Sequence, residues 1–106
     1  MTVRRLRRDE TMDRNQQVVI YRAMLTARRL DQLEQEITNR GEAFFTVASS
    51  GHESSASLAV HLTEADWLHC HYRDRALLLA RGIPPREFFD ILYCKDHSNS
   101  RGRQMT

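Results

Sequence analysis

Residues 13–40 carry the longest regular pattern of the chain and run DRNQQVVIYRAMLTARRLDQLEQEITNR. Their apolar residues recur at steps of three and four, which is the spacing of one face of an α-helix. Gly41 follows directly and predicts the end of this helix, because glycine readily adopts the left-handed backbone conformation that closes helices. We therefore expect one long amphipathic helix, whose apolar positions are Ile20, Ala23, Met24, Ala27, Leu30, Leu33 and Ile37.

The length of this helix predicts that it has a partner. At about 1.5 Å per residue it would extend over roughly 40 Å. The whole chain has 106 residues, a size that supports a single hydrophobic core. The other ~65 residues are too few to cover the whole apolar stripe. We therefore expect the helix to associate with a second copy of the chain or with another subunit, giving a homo-oligomer or a hetero-oligomer.

Shorter helices are predicted after residue 50. Ser50 and Glu53 fit a capping box, in which each side chain bonds a free backbone N–H at a helix start, so a helix is expected over 51–62. A run of leucines predicts a helix over 73–81 that ends at Gly82.

One more helix is expected after residue 84. Pro85 suits a first helical turn, and this helix should end near Cys94. Residues 42–50 show no helical periodicity. The chain is thus predicted to be mainly α, with a flexible basic arm at 1–12, a helical segment at 13–95 and a polar tail at 96–106.

The charge of the chain is carried mostly by arginine. The formal net charge is +2, and Lys95 is its single lysine. Arginines cluster in the arm at 1–12, which we interpret as a solvated tail rather than a nucleic-acid-binding arm. Elsewhere arginines alternate with acidic residues and form no basic stripe, so no nucleic-acid partner is expected.

Cysteine use and hydropathy predict a cytoplasmic protein. Cys70 and Cys94 are the only cysteines, and neither belongs to a metal-binding spacing, so reduced thiols are expected. The N-terminal residues lack the apolar core of a signal peptide, and no apolar run approaches the ~18 residues of a membrane span. No membrane association is expected.

A candidate anion site lies at residues 66–74, which run DWLHCHYRD. Tyr72 and Arg73 place a hydroxyl and a guanidinium side by side at a predicted helix start, where phosphates and carboxylates bind readily. In the alternative interpretation, Arg73 pairs with Asp66 or Asp74 and Tyr72 packs in the core. Spacing alone favours this alternative.

Other combinations of reactive residues are less complete. His69 and His71 would share one face of an extended segment, but no third and fourth metal ligands stand at a recognisable spacing, so no metal site is predicted. Ser49 and His52 lack the Gly-x-Ser-x-Gly context of a serine hydrolase, and no glycine-rich nucleotide loop is present. The residues alone therefore indicate a helical anion-binding module without a catalytic residue of its own.

Five segments, in order, resemble a known family. The family is the α subunit of the decarboxylating first component of pyruvate and branched-chain 2-oxoacid dehydrogenase complexes. The matching order is more specific than any single segment. The segments are Tyr21-Arg22-Ala23-Met24 with Ala27-Arg28-Arg29-Leu30-Asp31, Ser50-Gly51-His52-Glu53, Asp66-Trp67 with Tyr72-Arg73-Asp74, Leu79-Ala80-Arg81-Gly82-Ile83-Pro84, and Gly102-Arg103-Gln104-Met105.

The resemblance implies that the chain is the N-terminal helical part of a larger α/β fold that binds thiamine diphosphate. Tyr72 and Arg73 would contact the diphosphate of this cofactor, while Phe45 and His71 would belong to the 2-oxoacid pocket. The implied activity is oxidative decarboxylation of a 2-oxoacid, with acyl transfer to a lipoyl carrier. The implied partners are a β subunit or fused β region and a lipoyl acyltransferase.

Departures from the family pattern limit what this chain is expected to do. Val47 stands where some pyruvate-specific members have histidine, so the 2-oxoacid stays open, and Arg75-Ala76 replaces a frequent His-Gly. The family's magnesium-binding Gly-Asp-Gly motif and its catalytic glutamate are absent from these 106 residues. We expect Mg²⁺ to be held by residues outside this chain, and the chain alone to be inactive. A stand-alone interaction or regulatory module and a basic nucleic-acid-binding helical domain remain as alternatives.

Overall fold

Four helical elements make up the computed structural model, which describes residues 12–98 and 100–101. In chain order they are α1 (Arg14–Asn39), a 3₁₀ helix (Glu53–His61), α2 (Arg75–Ala80) and α3 (Pro85–Leu92). No strand occurs within these described ranges. The prediction of a mainly α chain is confirmed. The predicted arm at 1–12, apart from its last residue, and the Gly102–Met105 segment lie outside the described residues.

Helix α1 forms where the apolar periodicity predicts it, and both of its ends are fixed by local hydrogen bonds. At the start, Asp13 Oδ1 accepts from the Gln16 backbone N–H at 2.8 Å, and Gln16 Oε1 accepts from the Asp13 N–H at 3.1 Å. This reciprocal pair is a capping box. At the other end Gly41 has a φ of 78° and donates its N–H to the Thr38 carbonyl. The predicted glycine end of the helix is confirmed.

The predicted second helix forms as a 3₁₀ helix, and the capping role predicted for Ser50 is wrong. The Ser50 hydroxyl donates to Asp31 Oδ2 on α1 at 2.7 Å instead of accepting from the helix start. A hydroxyl forms a stronger hydrogen bond with an ionised carboxylate than with a neutral backbone N–H. This explains why Ser50 bonds Asp31 and does not cap the helix. Glu53 also departs from the predicted capping box, since its Oε2 accepts from the Gly51 N–H at 2.7 Å and not from the backbone N–H of Ser50.

Small side chains allow α1, the 3₁₀ helix and α2 to meet closely. Ala27, Ala56 and Ala76 are almost completely buried at this junction, together with Ile20 and Ala23. Because alanine projects only one methyl group, the helix backbones can approach each other there. The three helices therefore pack as one unit, and the loops that connect them are held in position by it.

The last two helices are bounded by the glycine and the proline that predicted them, but both helices are shorter than predicted. Helix α2 begins at Arg75, two residues later than predicted, and the chain leaves it through Gly82 at a φ of 105°. Helix α3 has Pro85 in its first turn, as predicted. Phe88 of α3 is buried, and its ring lies 5.6 Å from the guanidinium carbon of Arg75. This contact joins α3 to α2.

Candidate functional site

Arg73 connects two loops at the predicted anion site. Its Nη1 donates to the carbonyl oxygen of Ala48 at 2.7 Å, which joins the loop before α2 to the loop at 43–50. The guanidinium carbon of Arg73 lies 5.5 Å from the centre of the Tyr72 ring, and Tyr72 is 47% exposed. Among the described residues, Nε and Nη2 of Arg73 have no hydrogen-bond acceptor. Guanidinium N–H groups therefore remain available beside a half-exposed tyrosine.

The alternative partners considered for Arg73 are engaged elsewhere. Asp66 Oδ2 accepts from the Thr63 backbone N–H at 2.6 Å, a bond that holds the pKa of Asp66 below its ordinary value. Asp74 Oδ2 accepts from the His71 N–H at 2.9 Å. Neither carboxylate forms an ion pair with Arg73 in the described part of the chain. The interpretation in which Arg73 pairs with Asp66 or Asp74 and Tyr72 is a core residue does not hold in this structure.

His71 lies in the same small group, whereas Phe45 belongs to the facing loop. The His71 and Tyr72 rings are 3.8 Å apart between centroids, and His71 Nδ1 accepts from the Arg73 N–H at 3.3 Å. Phe45 is 40% exposed and lies three positions before Ala48, whose carbonyl holds Arg73. The structure thus brings together His71, Tyr72 and Arg73, and brings the loop of Phe45 to them.

A buried ionic cluster of Asp31, Glu34 and Arg75 supports this arrangement, and the sequence reasoning missed it. Arg75 Nη1 bonds Glu34 Oε2 and lies 3.6 Å from Asp31 Oδ1. The side chains are only 4%, 1% and 6% exposed for Arg75, Glu34 and Asp31 respectively. The signal was present, since Asp31 and Glu34 continue the same three- and four-residue spacing as Ala27 and Leu30.

The buried ionic cluster attaches the loop at 43–50 to α1. Both Asp31 oxygens accept from the Ser49 backbone N–H, at 2.9 and 3.1 Å, and Oδ1 also accepts from the Ser49 hydroxyl. Glu34 Oε2 accepts from the Thr46 hydroxyl at 2.8 Å. Ser49 and Thr46 flank the position of Ala48, so these bonds fix the carbonyl that holds Arg73.

Burial raises the pKa of Glu34 above its ordinary value, against the opposing effect of Arg75. Two carboxylates share one guanidinium here, and Glu34 Oε1 has no hydrogen-bond partner among the described residues. Desolvation disfavours the charged form of a carboxyl group, and a nearby carboxylate adds to this. The folded chain therefore holds a proton on Glu34 more firmly than the unfolded chain does.

This shift predicts a pH-dependent difference between the natural chain and Glu34→Gln. Because the folded state binds the proton more tightly, raising the pH lowers the free energy of unfolding of the natural chain. The glutamine variant lacks this group. We expect the natural chain to lose stability relative to the variant in urea denaturation as the pH rises from the ordinary glutamate pKa of 4.5 through the raised pKa of Glu34 in the folded chain. Glu53, whose pKa is lowered by its bond to Arg28, is present in both chains and cancels. A difference that stays constant with pH would contradict the prediction.

The described residues contain neither a candidate metal centre nor a candidate membrane span. No group of three or more His, Cys, Asp or Glu side chains in 12–98 and 100–101 is placed to bind a metal ion. No helix within those ranges is long and apolar enough to cross a bilayer.

Comparison of its sequence with known proteins relates this chain to a family. The family model described as "Dehydrogenase E1 component" matches residues 21–106. The chain belongs to this family. The match includes every residue of the Tyr72 and Arg73 site and the buried ionic cluster. It confirms the resemblance to the N-terminal portion of an E1 α subunit.

Curated proteins that are similar to this E1 segment are named as α subunits of dehydrogenases. The segment is 32% identical over 92 residues to 2-oxoisovalerate dehydrogenase subunit alpha of Bacillus subtilis, covering 83% of the chain and 28% of the relative. It is 30% identical to the mitochondrial subunit alpha 2 of Arabidopsis thaliana with the same enzyme name, covering 83% of the chain and 19% of the relative.

A third relative, 3-methyl-2-oxobutanoate dehydrogenase subunit alpha of Mycobacterium tuberculosis, is 33% identical over 62% of the chain and 18% of its own length. The E1 segment thus spans between 18% and 28% of these three relatives. No solved structure gives a significant match to it.

Proposed function

We propose that this E1 segment forms one side of the site that binds the diphosphate of thiamine diphosphate, with Tyr72 and Arg73 as the contacting residues. The observation that carries the proposal is the Arg73 guanidinium. One of its nitrogens is fixed on the Ala48 carbonyl at 2.7 Å, and the others have no acceptor in the described part of the chain. A guanidinium that is held in place and still has free N–H groups suits a diphosphate oxygen.

The residues around Arg73 fit such a ligand in charge and position. Tyr72 is 47% exposed and can offer its hydroxyl to a ligand, and the Asp74 carboxylate is engaged by the His71 N–H at 2.9 Å. When bound, thiamine diphosphate supplies the carbanion chemistry, whereas the protein binds and orients it. In this proposal Tyr72 and Arg73 orient the phosphates, and His71 and Phe45 line the 2-oxoacid side. The magnesium ion that accompanies the diphosphate is held by other parts of the enzyme.

We assign the complete enzyme to the oxidative decarboxylation of a branched-chain 2-oxoacid, with acyl transfer to a lipoyl carrier. The names of the relatives support this substrate class, since they denote dehydrogenases of 2-oxoisovalerate and 3-methyl-2-oxobutanoate. Val47, in place of the histidine of some pyruvate-specific members, agrees with it. The proposed partners are a β subunit or fused β region and a lipoyl acyltransferase, and the segment alone is proposed to be inactive.

A chimaeric enzyme tests the assignment of Arg73. Residues 21–101 would replace the matching segment of the Bacillus subtilis subunit, and the thiamine diphosphate concentration for half-maximal activity would be measured. Loss of a charge-assisted hydrogen bond costs about 1.5 to 3 kcal/mol, so Arg73→Ala should raise this concentration roughly 10- to 150-fold. Arg86→Ala, which removes an arginine that is 83% exposed on α3, is the matched control and should leave the concentration unchanged.

Two results would contradict the proposal. The first is an unchanged cofactor requirement in the Arg73→Ala chimaera, with circular dichroism showing that its helices are intact. The second is tight, magnesium-dependent binding of thiamine diphosphate to the 106-residue chain in a calorimetric titration, because one side of a site should not suffice.

A further inference from the structure

The peptide group between Ala48 and Ser49 is hydrogen-bonded at both of its ends. Its carbonyl oxygen accepts from Arg73 Nη1 at 2.7 Å, and its N–H donates to Asp31 Oδ2 at 2.9 Å and to Oδ1 at 3.1 Å. In a trans peptide group the carbonyl and the N–H lie in one plane and point in opposite directions, and no peptide bond of the described residues is cis. A single rigid plane therefore lies between a carboxylate of α1 and the guanidinium of Arg73.

The two charged side chains polarise this peptide group in the same sense. The carboxylate of Asp31 is at its N–H end, and the guanidinium of Arg73 is at its carbonyl end. Hydrogen bonds to charged groups are stronger than neutral ones, and bonds in a chain strengthen each other. Loss of the Asp31 carboxylate should therefore weaken the bond between Ala48 and Arg73. In the described ranges no hydrogen bond or ion pair joins Asp31 directly to Arg73.

Asp31 has a fixed position of its own. Its side chain is 6% exposed and lies 3.6 Å from Arg75 Nη1. Its Oδ2 also accepts from the Ser50 hydroxyl at 2.7 Å. Asp31 and Ser49 are buried by the described residues themselves, so these contacts do not require the parts of the subunit that lie outside this segment. Asp31 is thus a fixed point to which the peptide group is attached.

We propose that Asp31 is a positioning residue for Arg73 and acts through the peptide group between Ala48 and Ser49. Asp31 holds the peptide plane, and the plane holds one nitrogen of the guanidinium. For the orientation of Arg73 the inference depends only on these contacts. For the cofactor it rests on the proposed function, in which the same guanidinium binds a diphosphate. A side chain that is already ordered loses less conformational entropy when it binds a ligand.

Nuclear magnetic resonance on the isotope-labelled 106-residue chain tests the orientation without any cofactor. A hydrogen bond at Nη1 opposes rotation of the guanidinium about its Nε–Cζ bond, so this rotation should be slow for Arg73 in the natural chain. In Asp31→Ala it should approach the rate of Arg86, whose side chain is 83% exposed. Ser49→Ala is the matched control, because it removes a hydroxyl bonded to Asp31 but keeps the peptide N–H. In this control the rotation of Arg73 should stay slow.

The chimaeric enzyme tests the consequence for the cofactor. Asp31→Ala should raise the thiamine diphosphate concentration for half-maximal activity about 2- to 12-fold, which corresponds to ordering one long side chain on binding. In the Arg73→Ala background it should cause no further rise, because the residue through which it acts is gone. Leu92→Ala removes a 5% exposed side chain of α3 and destabilises the segment away from the peptide group. It should leave the concentration unchanged.

Three outcomes would overturn the proposal. The first is rotation of Arg73 that stays slow in Asp31→Ala. The second is equally fast rotation in Ser49→Ala, which would show that any loosening of the loop frees Arg73. The third is a cofactor effect of Asp31→Ala that is equally large without the Arg73 side chain. If Arg73→Ala alone left the cofactor requirement unchanged while the rotation results held, the proposed function would fail and the positioning of Arg73 by Asp31 would stand.

Discussion

We expect Arg75→Ala to lower the free energy of unfolding of this E1 segment by about 3–5 kcal/mol. The side chain of Arg75 is 4% exposed and is the single cation of the buried ionic cluster. Its removal leaves the Asp31 and Glu34 carboxylates buried without a counter-charge. The cost arises mainly from these unpaired charges, because an intact buried ion pair is itself only weakly stabilising. Urea denaturation at neutral pH would measure the loss.

Two comparisons make this expectation specific. Arg86→Ala removes an arginine that is 83% exposed and lies 4.0 Å from Asp90, and it should leave the denaturation midpoint nearly unchanged. The loss caused by Arg75→Ala should also shrink as the pH falls, since protonation of Glu34, whose pKa is raised by burial, removes one of the two unpaired charges. If Arg75→Ala and Arg86→Ala had similar small effects, the buried ionic cluster would not have the role assigned to it.

The second large effect is expected from Asp31→Ala, which should cost roughly 3 kcal/mol and release the loop at 43–50. Asp31 accepts hydrogen bonds from the Ser49 N–H, the Ser49 hydroxyl and the Ser50 hydroxyl. Bonds to a charged group contribute about 1.5 to 3 kcal/mol each and do not add fully, and a buried donor left without an acceptor adds its desolvation cost. Ser49 is 2% exposed, so water cannot easily replace the lost acceptor.

Hydrogen exchange distinguishes local release from general destabilisation. In Asp31→Ala the amide of Ser49 should exchange much faster, while the amides in the middle of α1 should change only with the global stability. Glu36→Ala, at an exposed position of the same helix, is the control and should leave the Ser49 amide protected. Retained protection of Ser49 in Asp31→Ala would show that Asp31 does not hold the loop.

The sequence predicts α1 well because everything that defines this helix is local. Its apolar stripe and the Gly41 end all lie within residues 13–41. The capping interpretation of Ser50 was wrong for the opposite reason, since the acceptor of its hydroxyl is 19 positions away on α1. A serine followed by Glu53 has the same local pattern whether its hydroxyl caps a helix or bonds a distant carboxylate. Such a choice is made by tertiary structure.

In the candidate site, too, the sequence predicts the local features and misses the tertiary contacts. Sequence proximity and the family resemblance pointed to Tyr72 and Arg73. These residues do lie beside each other, and within the described ranges the Arg73 guanidinium keeps N–H groups without an acceptor. The partner of Arg73 could not be predicted, because a backbone carbonyl has no side-chain signature in a sequence. Arg75 and Glu34 are 41 positions apart, and only folding brings them together.

The bond between Arg73 and the Ala48 carbonyl has a thermodynamic consequence. The same guanidinium that is proposed to face the ligand also fastens the loop at 43–50, so ligand occupancy and loop order are linked quantities. This coupling is reciprocal. If ordering of the loop raises the ligand affinity by some factor, ligand binding favours the ordered loop by the same factor. A diphosphate bound at Arg73 would then be detectable at a distance, as slower amide exchange around Ser49. Loosening that loop from the α1 side would weaken the ligand without altering any atom that touches it.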